Sequence, residues 1–328
     1  MRKFSNWLRV AVSLILLGVL LWQVGARNTL ARLWQINPLD FGLALALYLV
    51  GVWLRAWRWQ GLLAALGQRL RLSRLTELYF VGTFFNNMLP TGIGGDVVRV
   101  VELARDGSGG AMATSSVLVD RAAGLVSLMA MGLVTLGATL LWRPGLIEPR
   151  VAVVIVLVSA GVLVGMLAMM GADTLHRWFA RVPWLATPLD RPGVWRFAQS
   201  FAAYRGGALT TALGLSTLFN LQLVATNYFL GRGLHVNALM DAPWLYYLLF
   251  IPIISFVLAL PISISGLGAR EAAYVALFSS VGVPADQALA LSLAFYAVNL
   301  VTGAVGGVLY LVAGFRGAGK QPVVGVKE

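Results

Sequence analysis

Two apolar stretches of this 328-residue chain are each broken by proline and glycine near their middle. The first break reads Leu-Pro-Thr-Gly-Ile-Gly-Gly at residues 89–95, and the second reads Leu-Pro-Ile-Ser-Ile-Ser-Gly-Leu-Gly at residues 260–268. Such stretches cannot continue as regular helices, and irregular backbone persists at membrane depth only where protein or a water-filled cavity surrounds it. We therefore predict two re-entrant helical hairpins, over residues 75–106 and 243–283.

The composition places these breaks in an integral membrane protein. Hydrophobic residues make up 59% of the chain, charged residues only 12%, and the mean hydropathy is +0.80. A soluble domain carries about 25% charged residues, and a protein of this size needs that polar surface to face water. The composition therefore excludes a soluble enzyme, a nucleic-acid-binding module and a secreted disulfide scaffold. We expect residues 1–328 to form one membrane domain.

Six further segments are long and apolar enough to cross a bilayer. At roughly 1.5 Å of rise per residue, each covers a hydrocarbon core of about 30 Å. They are residues 7–25, 38–59, 112–141, 151–171, 207–231 and 286–315. The predicted fold is therefore an all-α integral membrane protein with about six transmembrane helices and two re-entrant hairpins. A polar connection, residues 172–206, interleaves arginines with aromatic residues, which is typical of a segment on an anionic membrane surface.

The basic residues orient this layout. With a cytoplasmic N-terminus, eighteen of the 25 lysines and arginines fall on cytoplasmic segments and five on outside loops. This asymmetry favours both termini inside, so the first hairpin enters from the cytoplasm and the second from outside. The net charge of +12 then reflects membrane orientation and anionic lipid, not nucleic acid. Arg55 and Arg58 are interpreted as part of an interfacial belt, with a head-group contact as the alternative.

The two breaks also share a sequence pattern. Leucine, proline, isoleucine, glycine and arginine recur at the same spacing, ending at Arg99 in the first break and at Arg270 in the second. Related elements that enter from opposite faces indicate an inverted-topology repeat, and transporters bind substrate where such broken helices meet. Coincidence in a chain rich in leucine and glycine is the alternative. We predict the inverted repeat.

Six ionisable side chains lie inside predicted membrane segments, where each costs about 2.5–3.5 kcal/mol on insertion scales and marks a functional hypothesis. They are Asp96, Arg99, Asp120, Arg121, Arg270 and Glu271. Three acids and three bases can also neutralise one another, so a role in helix packing is the alternative. For Asp120 and Arg121 the sequence favours neither the functional nor the structural interpretation.

The restarted helices favour an anion. Each break is followed by a helix N-terminus in the membrane interior, where free N–H groups and the positive dipole end attract negative charge. Arg99 and Arg270 are predicted in the first turns of these helices, and arginine matches phosphate with a planar fork of donors. We predict one shared phosphate site, in which Asp96 and Glu271 hold the two arginines or replace the phosphate when the site is empty. Further candidates, as helix caps or ligand contacts, are Asn86, Asn87, Thr91 and Ser265.

No feature of the sequence predicts a cofactor. Cysteine is absent, and the two histidines, His176 and His235, fall in predicted loops, so we expect no transition-metal or haem site. The chain also has no phosphate-binding loop of the nucleotide-hydrolysing type. Any transport activity is therefore expected to be passive or ion-coupled.

Three segments carry a family resemblance: residues 86–90 with 94–99, residues 116–125 and residues 266–271. In content and order they resemble the lysylphosphatidylglycerol synthase transmembrane family, the flippase-like membrane region of multiple peptide resistance factors. The resemblance covers about residues 8–316. It implies a multi-pass protein of a bacterial-type cytoplasmic membrane that moves or handles a lipid. The full resistance factors carry a soluble aminoacyl-transfer domain, which this sequence lacks, so transfer of lysine from tRNA is not expected.

We therefore expect a lipid flippase that moves an anionic phospholipid, or another phosphate-bearing lipid, between leaflets. Its head group would lie in a central polar cavity lined by the six intramembrane charges. The alternative is an integral-membrane enzyme that transfers a group onto a lipid or lipid carrier, with Asp96 or Asp120 as base. Membrane lipid is the expected partner. A homo-oligomer stays open, because Gly303, Gly306 and Gly307 suit either a dimer contact or internal packing.

Overall fold

The computed structural model describes residues 25–89, 93–170, 204, 207–259 and 266–318. Every regular element in these ranges is helical, which confirms the all-α class for this part of the chain. The predicted span at residues 7–25 lies outside the described residues. So does the predicted surface segment at residues 172–206, except for Tyr204.

The α-helices are numbered here in chain order. They are α1 (Ala26–Trp34), α2 (Pro38–Ala65), α3 (Leu72–Met88), α4 (Gly94–Leu103), α5 (Gly110–Trp142), α6 (Pro149–Met170), α7 (Gly207–Gly233), α8 (Pro243–Ala259), α9 (Ala269–Ser279) and α10 (Ala285–Ala318). A π-helical turn, Ala104–Ser108, follows α4, and a 3₁₀ turn, Val236–Leu239, follows α7.

Four of the described helices are long and apolar enough to cross a membrane: α2, α5, α7 and α10 as far as Val312. They coincide with four of the segments predicted from the sequence, which are therefore confirmed as candidate spans. Two other apolar segments are shorter. They are Pro149–Gly165 within α6, and Pro243–Ala259, which is α8. The chain is thus a multi-pass membrane protein built from apolar helices.

Both proline–glycine breaks interrupt the helix where they were predicted. The first separates α3 from α4, and the second separates α8 from α9. Arg270 is the second residue of α9 and lies in its first turn, as expected. The prediction for Arg99 is wrong, because α4 already begins at Gly94 and Arg99 therefore lies in the second turn.

Helices α2 and α7 pack side by side in opposite directions. At one end, Asp40 in the first turn of α2 accepts from Nε of Arg232 in the last turn of α7, at 2.8 Å. Towards the other end, Nη1 of Arg58 donates to Oγ of Ser216 at 2.9 Å. Polar contacts near both ends thus set the register of this pair.

The glycines of α10 serve internal packing, which is one of the two interpretations left open by the sequence. A Cβ atom on Gly306 would lie 1.9 Å from the carbonyl oxygen of Phe80 on α3. A Cβ atom on Gly303 would lie 2.5 Å from Nδ2 of Asn87, and one on Gly307 would lie 2.9 Å from the Phe84 ring. The backbones of α3 and α10 therefore approach as closely as small residues allow.

We predict that Gly306→Ala destabilises the protein by about 1–3 kcal/mol, because the added methyl group meets backbone that cannot move aside like a side chain. The matched control is Gly137→Ala on α5, where an added Cβ meets nothing within 4 Å. Reversible unfolding of the purified variants in mixed micelles measures both free energies. Equal stability of the two variants would show that α3 and α10 are not in close contact.

Candidate functional site

One carboxylate on α5 gathers donors from three other helices. Asp120, whose side chain is 1% exposed, accepts at Oδ1 from Nε of Arg58 on α2 at 2.8 Å. Its Oδ2 accepts from Nη2 of Arg99 on α4 at 3.0 Å and from the hydroxyl of Tyr79 on α3. An unpaired charge is expensive in the membrane interior, so these contacts constrain α2, α3 and α4 around α5.

Arg99 is held by aromatic rings as well as by charge. Its Cζ lies 3.8 Å from the ring centroid of Tyr79 and 4.0 Å from that of Trp59, and such cation–π contacts strengthen when desolvated. Its Nη1 lies 3.4 Å from Oδ1 of Asp96. Trp59 is itself fixed, because its Nε1 donates to Oγ of Ser116 at 3.2 Å. The rings therefore hold the Arg99 guanidinium in one plane.

The interpretation of Arg58 as an interfacial residue is wrong. Arg58 is 4% exposed, and it donates to Ser216 as well as to Asp120. Trp53 and Trp57 form the outward face instead and are 43% and 44% exposed. Positions four apart share one helix face, whereas Arg58 lies about 100° round the helix from Trp57. The spacing therefore indicates that Arg58 faces the protein interior, since the tryptophans and Arg58 cannot all face lipid.

Asp96 and Arg121 form an ion pair at the edge of this cluster. Nη1 of Arg121 lies 2.5 Å from Oδ2 of Asp96, and the two side chains are 42% and 17% exposed. Asp96 therefore bridges Arg99 and Arg121, with one oxygen near each. Arg121 follows Asp120 directly on α5, but it points about 100° away and takes a different partner.

The first break is closed by asparagines of α3. Oδ1 of Asn86 accepts from the N–H of Gly95 at 2.8 Å, so Asn86 caps the beginning of α4. The two helices approach so closely there that a Cβ atom on Gly95 would lie 1.9 Å from the carbonyl oxygen of Gly82. Asn87 donates from Nδ2 to the carbonyl oxygen of Asn299 on α10 at 3.2 Å. The end of α3 is thus linked to the beginning of α4 and to α10.

A polar cavity of about 140 Å³ lies against the Asp120 cluster. The charged residues that line it are Arg55, Arg58, Arg99, Arg121, Asp96 and Asp120. Four guanidinium groups thus face two carboxylates, which leaves an excess of two positive charges. Nε and Nη2 of Arg55 and Nε of Arg99 are buried and have no hydrogen-bond acceptor among the described residues. Buried donors without acceptors are rare in native proteins, so the cavity is suited to an anion.

Arg270 and Glu271 lie in a second cluster, between α9 and α10. Nη2 of Arg270 donates to Oε1 of Glu271 at 2.6 Å, its Nε lies 3.3 Å from Oγ of Ser292, and its Cζ lies 4.3 Å from the ring centroid of Tyr296. Oε2 of Glu271 accepts from the N–H of Gly268 at 2.6 Å. Glu271 therefore occupies an N–H group that the sequence analysis had assigned to an anion.

The structure brings together part of the predicted site. The predicted residues that line the polar cavity are Asn86, Asp96, Arg99, Asp120 and Arg121. Arg270 and Glu271 do not line it, and Thr91 and Ser265 lie outside the described residues. Sequence reasoning did not assign Tyr79 to the site, because a tyrosine in an apolar helix carries no signal of its partner. The described part of the chain contains no group of three or more acidic or histidine side chains arranged to hold a metal ion.

Comparison with known proteins supports the family resemblance. Residues 6–307 match the family model of the lysylphosphatidylglycerol synthase TM region. A curated relative, the UPF0104 membrane protein PH1989 of Pyrococcus horikoshii, is 24% identical over 179 residues, which are 54% of this chain and 52% of the relative. The chain thus spans about half the length of that relative. No solved structure gives a significant match.

The contacts predict which arginines are energetically coupled. Removing Arg58 or Arg99 alone takes one of two guanidinium partners from buried Asp120 and should cost about 1.5–3 kcal/mol of stability. Because they share that carboxylate, Arg58→Gln and Arg99→Gln should be non-additive by about 0.5–3 kcal/mol in a double-mutant cycle. Arg99→Gln and Arg270→Gln should add within about 0.5 kcal/mol, since their partners differ.

Unfolding free energies in mixed micelles, with Arg58, Arg99 and Arg270 changed singly and in pairs, test this coupling. The control is Arg105→Gln, which removes an exposed ion pair with Glu102 and should change stability by less than about 1 kcal/mol. Strong coupling between Arg99 and Arg270 would contradict the separation and restore a single shared site.

Proposed function

Because the chain belongs to the lysylphosphatidylglycerol synthase TM region family, we propose that it is a lipid flippase. In this proposal it moves an anionic phospholipid, or another phosphate-bearing lipid, between the leaflets of a cytoplasmic membrane. The head group occupies the polar cavity while the acyl chains remain among apolar helices and lipid. The protein needs no cofactor in this activity.

The observation that carries the proposal is the uncompensated positive charge of the polar cavity. Asp120 and Asp96 offset only two of the four positive charges, and no described carboxylate pairs with Arg55. The buried donors of Arg55 lack an acceptor among the described residues, and a phosphate supplies several strong acceptor oxygens to a guanidinium fork. Arg55 lies over the rings of Phe219 and Tyr79, with its Cζ 4.8 and 5.4 Å from their centroids, and a phosphate head group in the cavity would supply the negative charge that it lacks.

The two interrupted helices supply a route for alternating access. We propose that α3–α4 and α8–α9 are re-entrant hairpins of an inverted repeat, entering from opposite faces, with six spanning helices and both termini in the cytoplasm. Transporters of this kind move one repeat against the other around a site near the midplane. In this scheme Asp96 and Arg99 belong to one hairpin and Arg270 and Glu271 to its counterpart.

The contacts of Asp120 argue against it as the base of the enzymatic alternative. The enzymatic alternative needs a carboxylate whose oxygen is free to take a proton from the substrate. Three donors already converge on Asp120, from Arg58, Arg99 and Tyr79. A substrate proton would have to displace one of them, so Asp120 is better suited to holding arginines in place than to acting as a base.

The inverted arrangement predicts the accessibility of two connecting turns. In this cysteine-free sequence, Gly110→Cys after the first hairpin should react with membrane-impermeant maleimide only from the cytoplasmic side. Ser280→Cys after the second hairpin should react only from outside. Both positions are exposed, and inside-out and right-side-out vesicles separate the two sides. Labelling of both cysteines from one side would overturn the inverted repeat.

The proposed transport predicts a role for Arg55. In proteoliposomes, the wild-type protein should move acyl-labelled phosphatidylglycerol between leaflets faster than labelled phosphatidylcholine, and mass spectrometry should find the lipid unmodified. Loss of one charge-assisted hydrogen bond is worth about 1.5–3 kcal/mol, so Arg55→Gln should slow transport by about 10–100-fold.

Arg105→Gln provides the matched control, because the Arg105 side chain is 71% exposed and does not line the cavity. Its transport rate should equal that of the wild type. A chemically modified lipid would support the enzymatic alternative instead. Equal rates for Arg55→Gln and the wild type would show that the unsatisfied donors of Arg55 do not bind substrate.

A further inference from the structure

A second cavity, of about 270 Å³, lies between α4 and α5 next to the polar one. Its walls are apolar except for three residues, Asp96, Thr114 and Arg121. Asp96 and Arg121 also line the polar cavity, so the ion pair between them is a wall common to both. The two cavities therefore adjoin each other at this ion pair, as a polar and an apolar compartment.

The apolar compartment is bordered by exposed apolar side chains. Ile93, directly before α4, and Val97 and Val101 on α4 recur every four residues and are 51%, 54% and 43% exposed. Across the groove, Leu118 of α5 is 39% exposed. Residues four apart lie on one helix face, so α4 presents an apolar stripe along the groove. Such a groove is suited to an extended hydrocarbon chain.

The ion pair of Asp96 and Arg121 lies where the phosphate of a lipid in the groove would reach the polar cavity. Arg121 is the more exposed partner of the ion pair, at 42% against 17% for Asp96. Asp96 also lies within 3.4 Å of Nη1 of Arg99, which is buried in the polar cluster. A phosphate that replaced Asp96 at Arg121 would therefore be one ion pair away from Arg99 and the interior of the polar cavity.

We infer that a phosphate-bearing lipid enters sideways between α4 and α5, with an acyl chain in the apolar groove and its phosphate exchanging with Asp96 at Arg121. Together the two cavities fall within the roughly 300–1,000 Å³ of ordinary ligand sites, which combine apolar walls with a few polar groups. This inference rests on the proposed flippase function and adds to it the path by which the lipid reaches the polar cavity.

Photolabelling shows directly where the acyl chain of the lipid binds. Wild-type protein in nanodiscs is irradiated with phosphatidylglycerol that carries a diazirine in one acyl chain, and labelled peptides are identified by mass spectrometry. We expect enrichment of label on residues 93–101 and 114–118, and competition by unlabelled phosphatidylglycerol. Uniform labelling of lipid-facing helices, without competition, would overturn the inference without requiring any variant to fold.

A bulky side chain in the groove tests whether the groove contributes to lipid binding and transport. Val97→Trp should reduce both groove labelling and lipid transport by about tenfold, the effect of losing about 1.4 kcal/mol of favourable interaction. Binding of water-soluble glycerol 3-phosphate, measured by calorimetry, should remain unchanged, because the polar cavity is intact. The matched control is Val134→Trp on α5, a position that is 73% exposed and outside the groove, where labelling and transport should equal the wild type.

The outcomes separate this inference from the function on which it rests. Specific groove labelling without transport in the wild type would overturn the flippase proposal while supporting the lateral site. Normal transport by Val97→Trp, with label elsewhere, would overturn the lateral path while leaving the flippase proposal standing. Loss of glycerol 3-phosphate binding in Val97→Trp would show that the two compartments are not separable, which also contradicts the inference.

Discussion

The structure depends on the need to neutralise one buried carboxylate, Asp120. Its three donors come from α2, α3 and α4, and Arg58 extends the network to Ser216 on α7. In an apolar environment, hydrophobic burial gives little direction to helix association, so polar contacts and close packing determine which helices meet. Loss of one donor leaves the buried carboxylate with fewer hydrogen bonds than it can accept, which is destabilising. Asp120 therefore organises the described helices around the polar cavity.

The two breaks use similar sequences in different ways. At the first, Asn86 from α3 caps α4 from outside the restarted helix, and Asp96 remains available to bridge Arg99 and Arg121. At the second, Glu271 caps its own helix and pairs with the adjacent arginine. The first arrangement leaves its ion pair at the edge of a cavity, whereas the second is closed on itself. This difference separates a candidate binding site from a self-neutralised cluster in the conformation described.

Burial alone does not identify the functional charges. Arg58 is among the most buried arginines, yet its contacts with Asp120 and Ser216 account for it structurally. Arg55 is less buried and pairs with no described carboxylate; its Cζ lies over three aromatic rings instead. An interior charge that is fully paired stabilises the fold, whereas one that is only partly satisfied needs a further partner. The phosphate of a lipid is the partner proposed here.

The sequence alone determined the apolar spans, the helix breaks at the two proline–glycine segments and the presence of charges beside them, because these follow from composition and local backbone chemistry. It also predicted that Asp96, Arg99, Asp120 and Arg121 belong to one site, and the structure places all four around the polar cavity. Only the tertiary structure decided that Arg58 pairs with Asp120 and that Arg270 and Glu271 lie in a separate cluster. Periodicity fixes the faces of one helix, but it does not say which neighbour each face meets. Those pairings arise when several helices pack together and every buried charge must find a partner.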